Sequence, residues 1–103
     1  MITRFWRGWT ASTGNADAYE RLLRTEILPA IHRVPAFRGA TVLRRDVDDG
    51  VEFVVLTRFE SLEAVREFAG PEYEVPVIEP EARALLARGD DRALHYETVV
   101  DLA

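Results

Sequence analysis

His32 and His95 are the only imidazoles in this chain, and so the only side chains that titrate near neutral pH without help. His95 sits beside Tyr96 in a strand-like stretch, so the two side chains point to opposite faces. Two roles are open to it: proton acceptor in a pocket, or structural imidazole hydrogen-bonded in the core or an interface. His32 falls near the end of a helical pattern, where a positive charge suits the helix dipole. Arg4 shares a strand face with Trp6. A buried arginine needs a partner. That partner is either a carboxylate such as Glu97 or an anionic ligand, a phenolate or an enolate. Trp6 and Trp9 are three residues apart and face opposite sides of the same strand. One can line a pocket and the other an interface, or both can be core.

Other chemistries are excluded by what the chain lacks. All 13 basic residues are Arg, and without Lys there is no amine for a Schiff base. There is no Cys, hence no disulfide framework and no thiolate nucleophile. Two distant His without a carboxylate at ligand spacing make no metal site. No phosphate-cradling glycine loop and no serine elbow occurs. The net charge of -5 argues against a nucleic-acid binder. No apolar run reaches the ~20 residues of a membrane span. Met1 leads directly into a strand pattern rather than a signal peptide, and a cytoplasmic location is expected. The 103 residues suit one domain, 1–103, without repeat or linker.

Six elements have to position these side chains. Ile2 to Trp9 reads as a strand rich in bulky β-formers. Asn15 is the expected cap of the first helix, with Asp17 in its first turn. Tyr19, Leu22, Leu23, Ile27, Ala30 and Ile31 recur at helical spacing. Pro29 lies inside that pattern and predicts a kink or a change of turn, and Pro35 ends it. A second strand is expected over Ala40 to Asp46, a hairpin turn at Asp48-Asp49-Gly50, and a third strand over Val51 to Phe59. Arg44 and Arg45 flank that hairpin and are expected to be solvated. Ser61 caps a helix from Leu62 to Ala69, which Gly70-Pro71 stops. Pro80 opens a short helix through Leu86 that Gly89 ends, and the last strand runs from Ala93 to Val100.

The order β-α-β-β-α-β predicts an α+β, ferredoxin-like domain, an antiparallel sheet with helices on one face. Val51, Phe53, Val55, Thr57 and Phe59 alternate with Glu52, Val54, Leu56 and Arg58, and both sets are largely apolar. Both sheet faces therefore need cover, and a second subunit is the expected cover for the open one. RNA-recognition motifs share this order but use a basic sheet with aromatics on the middle strands. The third-strand text EFVVLTRF does not fit them. Acylphosphatases share it too, but their phosphate-cradling Arg loop is not found.

The ordered set RFWRGWT, ADAYERLLRTEILPAI, FRGATVLRR, VEFVVLTRFESLEAVREFAG, EYEVPVIEPEARALL and LHYETVV resembles the antibiotic biosynthesis monooxygenase family of the dimeric α/β-barrel superfamily. The resemblance covers nearly the whole chain. It implies a homodimer with two sheets back to back and a mostly apolar pocket between sheet and helices in each subunit. It implies oxidation of an aromatic or polyphenolic molecule by oxygen, without flavin or metal. Such a reaction needs a substrate that can be deprotonated to an electron-rich anion, a base or hydrogen-bond partner, and a dry pocket. Some active relatives carry Asn on the first strand, where this chain reads Thr3-Arg4-Phe5-Trp6-Arg7, and Trp where it has Phe59. Related heme-degrading enzymes need a His near the third helix, where this chain reads EVPVIEPE.

The expected site therefore has Arg4 and His95 as its catalytic pair and Trp6, Phe59, Phe68, Tyr73 and His32 as contacts to a small apolar or aromatic ligand, with no cofactor and no metal. The segment Gly70 to Pro80 is the candidate lid, through Tyr73 and Val77, or else a dimer arm or a plain surface loop. The alternative function is a ligand-binding or structural dimer of the same fold that performs no chemistry.

Overall fold

The computed structural model describes residues 1–103. Strand β1 (Ile2–Thr10) is central in the sheet. On one side it pairs antiparallel with β3 (Gly50–Phe59) along its whole length, and β3 pairs in turn with β2 (Phe37–Val47). On its other side β1 takes two short strands, β4 (Arg88–Gly89) at Gly8–Trp9 and β5 (Leu94–Glu97) at Ile2–Phe5. The expected last strand, Ala93 to Val100, is shortened to β5, ending at Glu97, and the separate two-residue β4 precedes it. Asp90 lies between the two. Its carboxylate takes Arg7 at 2.8 and 3.1 Å, its carbonyl accepts from Trp6 Nε1 at 2.8 Å, and its amide donates to the Arg7 carbonyl. Three ties to β1 hold the chain out of regular pairing there.

The helices cover one face. Helix α1 (Thr13–Leu22) is capped by Ser12, whose Oγ accepts from the Asn15 amide at 3.1 Å. Asn15, the expected cap, lies inside the helix and reaches the Leu85 carbonyl instead. After α1 the chain widens into a π-turn over Leu23–Ile27 and resumes as α2 (Leu28–His32). Pro29 accounts for this. It has no amide to give the Thr25 carbonyl and its ring crowds that carbonyl, so the preceding turn opens and Leu28 N bonds to Leu23 O. Ala36, with φ 67, turns the chain into β2, which starts earlier than expected and carries a bulge between Phe37 and Gly39. The hairpin turn is Asp48-Asp49, and the positive φ falls on Gly50 (147), against which the Thr10 carbonyl leaves no room for a Cβ. Helix α3 (Leu62–Ala69) is capped by Ser61 and stopped at Gly70, as the sequence predicts. Helix α4 (Pro80–Leu85) stops at Leu86; Gly89 lies in β4. Arg44 and Arg45 are exposed, as expected, and both are also ion-paired. Arg44 bridges Asp17 and Glu20 on α1, and Arg45 pairs with Glu52.

Register sorts the faces. Trp6 is opposite Val55, Arg4 opposite Thr57 and His95, and Val42 opposite Val55. All of these face the helices. Phe5, Leu43, Val54, Leu56, Leu94 and Tyr96 occupy the other face, with Leu43 52%, Leu94 46% and Tyr96 55% exposed. Under the helices there are two cores. Ala16, Tyr19, Leu23, Val51, Phe53 and Ala82 make one, and Phe59, Ala64 and Val65 the other. Val55 and Thr57 lie between them on β3, and the space above these two residues is unfilled. No helix is long and apolar enough to cross a membrane.

Candidate active site

The gap between the two cores is a cavity of about 440 Å³, a size that suits a small organic ligand. Twelve of its nineteen lining residues are hydrophobic, so the ligand it fits is largely apolar. Its floor is Arg4, Trp6, Val55 and Thr57. The π-turn brings Leu23, Glu26 and Ile27 to one wall, and the segment Pro76–Ala82 makes another. Phe68 closes the end beside Arg4, its ring 5.8 Å from the guanidinium carbon.

Trp6 has its orientation fixed at both ends of the indole. Nε1 donates to Asp90, and the six-membered ring lies over the backbone at Gly8 and Gly89. A Cβ at Gly8 would come within 2.6 Å of the ring, so both glycines are the room the indole needs. Gly89 thus serves the tryptophan rather than ending a helix.

Arg4 is 5% exposed and has no carboxylate partner; Glu97, its expected internal counter-ion, is exposed and forms no bridge with it. Its guanidinium instead donates to the carbonyls of Tyr73 and Val75, the latter at 3.3 Å, and lies 2.9 Å from His95 Nε2. Guanidinium has only donors, so His95 Nε2 accepts and the ring proton is on Nδ1. Burial pulls Arg4 down to about 10, which leaves it cationic at neutral pH. Burial first, and then the Arg4 charge, hold His95 below its ordinary value, with Glu74 opposing weakly.

The expected site residues therefore separate. Arg4, Trp6 and Phe68 line the cavity, and His95 stands behind Arg4 without lining it. Phe59 is fully buried in the second core and reaches the site only through its stack on Phe68 at 5.5 Å. The Tyr73 ring packs edge-on against His95 at 5.0 Å, outside the cavity. His32 is exposed at the end of α2 against Phe37. In the segment Gly70 to Pro80, Val77 is a wall residue, while Tyr73, Glu74 and Val75 are tied down by Arg4 and by the Ala93 amide. Sequence reasoning did not pick out Tyr19 and Thr57. Both line the cavity, both residues are at least 95% buried, and their hydroxyls, bonded to no protein group, are not sealed from the cavity. Burial pushes the Tyr19 phenol up to about 12, so it remains a donor.

The fold is an α+β sheet with a mostly apolar cavity, floored by Arg4, under its helices, and comparison with known proteins gives the family. The sequence profile of the antibiotic biosynthesis monooxygenase family matches residues 8–73, and the chain belongs to that family. No curated protein sequence matches it. Among solved structures it is similar to MhuD, a heme-degrader from Mycobacterium tuberculosis seen with two hemes bound, at 20% identity, TM-score 0.66, and full coverage of both chains. It is similar to SnoaB, a cofactor-independent oxygenase from Streptomyces nogalater, at 20% identity and TM-score 0.66, over 98% of this chain and 96% of that one. The ActVA-Orf6 monooxygenase of Streptomyces coelicolor, in complex with nanaomycin D, matches at 16% identity and TM-score 0.64, over 99% of this chain and 90% of that one. No imidazole lines this cavity, so its lining offers no His ligand to a heme iron.

Proposed function

We propose that this protein is a cofactor-independent monooxygenase that binds a flat aromatic molecule carrying an acidic hydroxyl or an enolisable ketone. The observation that carries the reading is Arg4, a buried cation without a carboxylate partner on the floor of an apolar cavity. Its protein partners are all neutral, so its charge is left for a ligand. A cation within a few ångströms lowers an acid's pKa by roughly 1–3 units. Arg4 therefore brings a phenol or enol towards its anion without a dedicated base. The electron-rich anion reduces oxygen directly. One oxygen atom enters the substrate and the other leaves as water, with both hydrogens and the electrons supplied by the substrate. His95 acts through Arg4, as a positioning residue, and the apolar walls exclude the water that would quench the anion. Family membership supports this reading, as does the fold shared with SnoaB and ActVA-Orf6.

The proposal includes a homodimer. Phe5, Leu43, Val54, Leu56, Leu94 and Tyr96 form an apolar sheet face with nothing on it, which a second copy would cover.

A second reading, binding without turnover, is favoured by one observation. The carboxylates that line the cavity, Glu26, Glu79 and Glu81, are all exposed at its mouth, so no base is buried within. Oxygen uptake by the metal-free protein with anthrone-like substrates separates the two. Uptake above the uncatalysed rate supports the oxygenase, and a raised melting temperature without uptake supports the binding protein.

A further inference from the structure

The cavity has donors at two ends and an apolar middle. Along the floor, the Arg4–Thr57 pair is followed by Trp6–Val55 and then by Gly8–Phe53. Strand rise is roughly 3.3 Å per residue, so the first and last of these rows are about 13 Å apart. Tyr19 stands over the last row, its ring edge-on to Phe53 with centroids 4.8 Å apart. It is 3% exposed and lines the cavity, and its hydroxyl has no partner in the protein yet is not sealed from the cavity. A phenol hydroxyl that is open to the cavity and bonded to no protein group is free to donate to a ligand oxygen there. The packing of Ala16, Leu23 and Ala82 around the Tyr19 ring fixes its place, so the donor is preorganised.

We infer that the Tyr19 hydroxyl is the second polar anchor of the cavity, donating to an oxygen at the far end of a ligand whose near end carries its negative charge at Arg4. The inference rests on the proposed function and narrows it. It selects flat, fused-ring molecules with oxygen on both terminal rings, and disfavours single-ring phenols, which fall short of the roughly 13 Å between the two rows. Tyr19 is a specificity-determining residue in this account and takes no part in the electron transfer.

The test is calorimetric titration of native protein, Tyr19→Phe and Arg4→Met with two anthraquinones. One carries a single terminal hydroxyl, and the other carries hydroxyls on both terminal rings. The native protein should prefer the two-ended compound by about threefold to tenfold, the worth of one net hydrogen bond. Tyr19→Phe keeps the ring against Phe53 and should erase that preference by weakening only the two-ended compound. Arg4→Met should weaken both compounds. No preference in the native protein, which needs no variant to measure, would overturn the inference, as would a preference that survives in Tyr19→Phe. If both compounds bind and Arg4→Met weakens them, that failure concerns Tyr19 alone. If neither binds the native protein, the reading of the cavity as an aromatic-anion site fails with it.

Discussion

Arg4 and His95 form one unit at the residue scale, and pH should reveal it. In the folded chain His95 is held below its ordinary value of about 6.5. Between that lowered value and about 6.5 the unfolded chain binds a proton that the folded chain refuses, so stability rises with pH there. Acidification through this window should lower the melting temperature of the native protein. His95→Gln should remove that part of the dependence; a variant profile parallel to the native one would mean that the fold does not hold the imidazole below its ordinary value. Arg4 and Trp6 were legible in the sequence because strand alternation puts them on one face whatever the fold details. Phe59 and Tyr73 were not. Proximity along the chain says nothing about which of two adjacent aromatic rings, Phe59 or Phe68, meets the void. Tyr19 read as one more member of a helical apolar stripe, since periodicity says that a side chain is buried but not whether its hydroxyl meets protein or space.

The site depends at the element scale on irregularities more than on regular helices and strands. The π-turn at Leu23–Ile27 sets one wall, and the interruption between β4 and β5 holds Asp90 where it can bind the Trp6 indole. Trp6 in turn needs bare backbone beneath it. Gly8→Ala would put a Cβ 2.6 Å from the indole, and overpacking of this kind costs about 1–3 kcal/mol. We expect a lower melting temperature and weaker binding of aromatic ligands, because the indole must tilt into the cavity. Unchanged binding in this variant would show that Trp6 does not shape the floor. The Leu62–Ala69 helix and the disturbance at Pro29 were readable because Ser61, Gly70 and the proline act locally. The extra strand β4 was not, because its two residues show no alternation and the Arg7–Asp90 ion pair beside it is long-range.

At the scale of the whole molecule, the cavity exists because the helices pack two cores rather than one. No local pattern announces such a gap, whereas the need to cover both sheet faces was plain from the two apolar alternations of β3. The uncovered face predicts a particle of twice the 11.7 kDa chain mass. Leu56 lies mid-sheet on that face, opposite Phe5 and Thr41. Leu56→Arg places a charge where the two sheets would meet and should yield a monomer by light scattering, with the cavity residues untouched. A native protein that is monomeric at high concentration would remove the dimer from the account.

The most direct test of the central claim is oxygen uptake by the metal-free protein with an anthrone-like substrate, native against Arg4→Met. A hydrogen bond to a charged group is worth about 1.5–3 kcal/mol, so the variant should lose between tenfold and a hundredfold of any rate above background. Uptake by the native protein that falls by that factor in the variant is the predicted result. Uptake undiminished by the loss of Arg4, or a native protein that consumes no oxygen with any enolisable aromatic, would contradict it.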